Sequence, residues 1–125
     1  MSDATADLIR AVIENMKGAH DDWVSVAMII DLRGERVIGT HGYAYPPDRT
    51  TSAVASRPSG IQAAVAAYLG SADRRRQEPP VAILVQVDRV SGRYEVTFED
   101  DDAARWKVTP ANIDQLAEEL RPHVD

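Results

Sequence analysis

Cysteine is absent from the 125 residues, which removes disulfides, thiol nucleophiles and thiolate metal sites together. Aromatic residues are scarce at 6%, with a single phenylalanine, Phe98. Lysine is nearly missing: Lys17 and Lys107 stand against twelve arginines. No apolar run approaches the length a membrane helix needs. The opening stretch Met1-Ser2-Asp3-Ala4-Thr5-Ala6-Asp7 is acidic and lacks an apolar core, so no secretory leader is expected. A reducing, cytoplasmic setting follows as the expectation. Positive charge is also in deficit, with 14 Lys+Arg against 20 Asp+Glu and a formal net charge of -6. Binding nucleic acid through general electrostatics requires a basic face, and this balance argues against one.

What is present fits one domain. The length suits a single core, and the hydrophobic content of 44% is ordinary for a globular chain. The charge is distributed unevenly. Residues 1–94 carry equal numbers of acids and bases, so the net charge lies in residues 95–125. There Glu95, Glu99, Asp100, Asp101, Asp102, Asp114, Glu118, Glu119 and Asp125 face only Arg105, Lys107 and Arg121. This asymmetry is the most specific feature of the composition.

Periodicity supplies the elements. Leu8, Ile9, Val12, Ile13 and Met16 recur at helical spacing, with Asp3 or Ser2 as cap and Gly18 as terminator. Trp23 to Leu32 alternates as a strand, with Val24, Val26, Met28, Ile30 and Leu32 on one face. Arg33-Gly34-Glu35 is a hairpin loop and Arg36 to Tyr45 the return strand, weakened by Gly39 and Gly42 and broken by Pro46-Pro47. Thr50 to Ala55 can add a short third strand. Ile61, Ala64, Val65, Tyr68 and Leu69 mark a second helix, begun by Ser56 or Ser59 and ended by Gly70. Val81 to Val90 and Arg93 to Glu99 form a second hairpin about Ser91-Gly92, with Tyr94, Val96 and Phe98 inward. Trp106 and Val108 suit a short last strand. Thr109-Pro110 then opens a helix lined by Ile113, Leu116, Ala117 and Leu120. The expected fold is α+β in the order α-β-β-(β)-α-β-β-(β)-α. A mainly antiparallel sheet of 4–6 strands carries three helices on one face.

No catalytic constellation emerges. His20, His41 and His123 lie outside the motifs that pair a histidine with a nucleophile or a metal. His41 shares a strand face with Tyr43 and Tyr45, where a ligand groove is conceivable. Gly34, Gly39 and Gly42 do not form a phosphate-binding loop. Glu99-Asp100-Asp101-Asp102 lacks the alternating ligands and central glycine of a calcium loop, so no metal and no cofactor are expected. Arg74-Arg75-Arg76, without interleaved aromatics, is weak evidence for nucleic acid. The acidic run is either a solvated turn or a protein-docking edge. With Glu95 on the outward strand face and Trp106 beyond, it places carboxylates around an aromatic.

Asp22-Trp23, opening the first long strand after an amphipathic helix, belongs to a wider pattern. It continues in Gly92-Arg93-Tyr94-Glu95-Val96-Thr97-Phe98-Glu99-Asp100-Asp101 and in Arg105-Trp106 before a last helix. In these features the chain resembles the YezG-type immunity proteins of bacterial polymorphic-toxin systems. The glycine-rich second strand, Pro46-Pro47 and the Arg74 to Arg76 loop depart from that pattern. The resemblance implies a small, non-enzymatic cytosolic antitoxin that binds a cognate toxin domain, often by covering its active site. Such toxins are frequently basic nucleases. The partner is then a protein, with no nucleic acid and no membrane, and a monomer is favoured. Glu95, Glu99, Asp100, Asp101, Asp102, Trp106 and Tyr43 are the expected partner-binding residues. The alternatives are a secretion-chaperone-like or adaptor domain that holds a client segment, and a small-ligand site or enzyme at His41, Tyr43 and Tyr45.

Overall fold

The computed structural model describes residues 4–18, 22–47, 51–71 and 80–100, and the single positions 102, 106, 115, 116 and 120. The described elements run in the order α1 (Ala4–Glu14), β1 (Met16–Lys17), β2 (Ser25–Arg33), β3 (Arg36–Tyr45), β4 (Ser52–Ser56), α2 (Pro58–Ser71), β5 (Ala82–Asp88) and β6 (Tyr94–Glu99). The fold is α+β. All six described strands join one antiparallel sheet in the spatial order β1-β4-β3-β2-β5-β6. No described helix is long and apolar enough to cross a membrane.

β2 explains the architecture. It is the fourth strand across and is apolar on both faces, as a strand covered from two sides must be. Val26, Met28, Ile30 and Leu32 pack with Leu8 and Val12 of α1 and Ile61, Val65 and Leu69 of α2. Ala27 and Ile29 point the other way, into a second core of Tyr43, Tyr45, Ala82, Leu84, Trp106, Leu116 and Leu120. The expectation of three helices on one face therefore requires correction. α1 and α2 cover one face, and the C-terminal residues Trp106, Leu116 and Leu120 cover the opposite one. Gln115 and Leu116 are helical, but most of the expected last helix, and Val108 of the expected last strand, lie outside the described residues.

Two local departures have tertiary causes. Met16 leaves the helix stripe and pairs in β1 with Ser56, because the end of β4 supplies a strand edge. Ser56 does not start α2; it ends β4. Its buried hydroxyl donates to the Val12 carbonyl at 2.7 Å, while its N–H donates to the Thr40 hydroxyl at 2.9 Å. The following α1–α2 junction is closed by Asn15, which donates to the Ala11 and Gly60 carbonyls and accepts from Arg57. Gly42 also has a positive role. A Cβ there would collide with the Ala27 carbonyl oxygen, so glycine permits the close approach of β3 to β2.

Candidate functional site

Among the described residues β6 is the outermost strand beyond β5, paired through Ile83↔Phe98, Val85↔Val96 and Val87↔Tyr94 on the helix side. Val96 and Phe98 pack on the helix-side core, and the Phe98 ring meets Tyr68 edge-on at 6.0 Å. Tyr94, expected inward with them, is 47% exposed. An edge strand has a neighbour on one side only, so its terminal aromatic gains half the cover of a central one.

The alternate residues Glu95, Thr97 and Glu99 take the other face, that of the C-terminal residues. Glu95 is exposed and Glu99 half-buried. The Glu99 carboxylate accepts the Asp102 N–H at 3.1 Å, which folds the chain back at the strand end. Asp100 and Asp102 are exposed within this turn; Asp101 lies outside the described residues. Four of the seven expected docking residues thus gather along one strand and its following turn.

Trp106 and Tyr43 do not join that rim. Trp106 is 6% exposed and Tyr43 8% exposed, both inside the second core. The expectation of an exposed aromatic among carboxylates is corrected for both. The sheet face opposite the helices is apolar and draws the indole in to cover it. Tyr43 does share a row with Glu95, through Tyr43↔Ala27, Ala27↔Gln86 and Gln86↔Glu95. Three strand spacings of about 4.8 Å put it roughly 14 Å from the acidic edge. Burial raises the Tyr43 phenol above its ordinary range, so it is a neutral group. Tyr45 is fully buried beside it, with ring centroids 6.4 Å apart. These tyrosines fill a core; they do not line an open groove.

His41 lies one row along. Its Nδ1 is 3.5 Å from Asp31 Oδ2, and its Nε2 is 2.9 Å from the Trp106 carbonyl oxygen. Both partners are acceptors, so the ring donates to both only as the imidazolium. The Asp31 carboxylate holds the imidazole above its ordinary pKa of 6.5. Burial opposes this and the Trp106 carbonyl assists it. Together with Gln86, whose side-chain amide donates to the Leu120 carbonyl at 2.9 Å, His41 anchors the C-terminal residues on the sheet. The pairing of Asp31 with His41 is not legible in the sequence because it is diagonal between strands. The signal of Asp31 is a carboxylate on the strand face that also carries Ala27 and Ile29. The Trp23 ring, buried on the helix side, carries the Arg89 guanidinium at 3.6 Å from its centroid.

His20, His123 and the Arg74 to Arg76 loop lie outside the described residues. The chain matches no protein-family model, no curated protein and no solved structure.

Proposed function

We propose that this chain is an immunity-type inhibitor. It binds a cognate, basic toxin domain through the acidic edge formed by β6 and its following turn, covering the toxin's active site. The observation that carries this reading is the gathering of Glu95, Glu99, Asp100 and Asp102 on the outermost strand and the turn beyond it. An acidic rim there speeds encounter with a cationic partner and rejects anionic ones through its long-range field. The resemblance of Gly92 to Asp101 and Arg105-Trp106 to the YezG-type pattern supports the same assignment.

Co-expression tests it. The product of the gene immediately upstream should be toxic alone, tolerated when this chain is present, and co-purified with it. A non-toxic upstream product, or toxicity that persists despite co-expression, counts against the proposal. An adaptor that holds a client segment is the second reading, favoured by an apolar groove beside β6. It predicts co-purification with stabilisation of an export-competent client and no rescue of viability.

A further inference from the structure

α1 presents two apolar rows. Leu8 and Val12 are wholly buried against the sheet. Ile9 and Ile13 are only partly covered by the same core. With Ala6, Arg10, Glu14 and the ring of Tyr94 they line an open groove of about 540 Å³ between α1 and β6. The groove's floor is aliphatic and its wall aromatic. Its rim carries one exposed charge of each sign: Arg10, which pairs with Asp7 at 3.5 Å, and Glu14.

The strand beside this groove has main-chain groups directed outward. The Asp88 N–H donates to the Arg93 carbonyl at 2.8 Å, which sets the phase of the β5–β6 ladder. In an antiparallel pair, bonded and non-bonded positions alternate. Arg93, Glu95 and Thr97 therefore turn their main-chain groups toward β5, and Tyr94 and Val96 turn theirs away from it. Among the described residues, no strand pairs with β6 on that side.

We propose that the groove and the Tyr94–Val96 edge form one docking site for an extended segment of a protein partner, bearing an apolar side chain flanked by lysine or arginine. Strand addition gives that segment its main-chain hydrogen bonds at Tyr94 and Val96. Side chains of an added strand alternate between faces. Those on the helix side enter between Ile9, Ile13 and Tyr94, with Glu14 receiving a neighbouring cation. Those on the opposite side meet Glu95. Charge decides the occupant: along β6 and its flanking described residues, from Arg93 to Asp102, Glu95, Glu99, Asp100 and Asp102 stand against Arg93, so a basic segment is attracted and an acidic one repelled. The proposal rests on the inhibitor reading in taking the partner to be a basic protein, and it names the part of that partner which is held.

The test needs no toxin. An alternating lysine–valine octapeptide and its glutamate–valine counterpart are titrated separately into the isotopically labelled full chain and followed by amide NMR shifts. The lysine peptide should move the amides of Ile9, Ile13, Tyr94 and Val96, and the glutamate peptide should not. Tyr94→Ala and Glu14→Lys alter exposed positions, and each should weaken binding of the lysine peptide by about fivefold or more. Equal shifts from both peptides, shifts confined to Glu99, Asp100 and Asp102, or unchanged affinity in both variants would overturn the site. Because viability is not read here, failure of the docking site leaves the inhibitor proposal standing. Conversely, a harmless upstream product leaves the titration result unchanged.

Discussion

An imidazole between a carboxylate and a main-chain carbonyl has two acceptors to satisfy and, when neutral, one proton for both. His41 is in this position, and its contacts with Asp31 and Trp106 give the fold a proton-linked component. The direction follows from linkage. The folded-state pKa lies above the unfolded 6.5, so the stabilisation is complete below about pH 6.5 and is lost as pH rises through the folded value. His41→Gln should cost about 1 kcal/mol at pH 5.5, a modest charge-assisted hydrogen bond at a half-buried position. The difference from the wild type should shrink by pH 9, where the neutral ring keeps one of its two hydrogen bonds. Urea midpoints of both proteins across that range check it, and a gap independent of pH contradicts the imidazolium assignment. At this same scale Trp106 shows what composition conceals. It follows a run of aspartates, which reads as surface, yet an apolar strand face elsewhere in the chain determines its burial.

Elements were legible where their signal was local. The β2–β3 hairpin follows from alternation on both sides of Arg33-Gly34-Glu35, and β3 occupies Arg36–Tyr45 as its pattern indicates. α2 follows from the Ile61, Val65 and Leu69 spacing. β1 was not legible, because a two-residue strand exists only through its pairing with Ser56 and Ala55. The layering was half legible. Ala27 and Ile29 between Val26, Met28 and Ile30 already mark a strand with two apolar faces, but nothing local states what covers the second. That cover makes an element-scale prediction. Trp106→Ala should destabilise the protein by about 3 kcal/mol, as removal of a buried indole does. It should also expose the chain beyond Asp102 to protease at concentrations that spare the wild type. Trp106→Phe should restore most of both. Unchanged stability and an unchanged digestion pattern for the alanine variant would mean that the indole does not anchor this segment.

At the scale of the whole molecule, the imbalance of charge is a directional property. Residues 1–94 are neutral and the excess acid begins at Glu95, on the last described strand of the sheet. The location of those acids along the chain was plain from the sequence. Their position at the sheet margin was not, since strand order depends on which hairpin lies outermost. The described acids Glu95, Glu99, Asp100 and Asp102 form an acidic margin at the β6 end. The central claim is that this margin recruits a basic protein partner. Its most direct test is the association rate of the chain with the upstream gene product, measured against ionic strength for the wild type and the Asp100→Lys/Asp102→Lys variant. Both substitutions lie in an exposed turn, so the fold should be retained. The account predicts that wild-type association slows steeply with added salt. It further predicts that the variant associates about tenfold or more slowly at low salt and has lost most of that dependence. Equal rates for the two proteins at every salt concentration would contradict it.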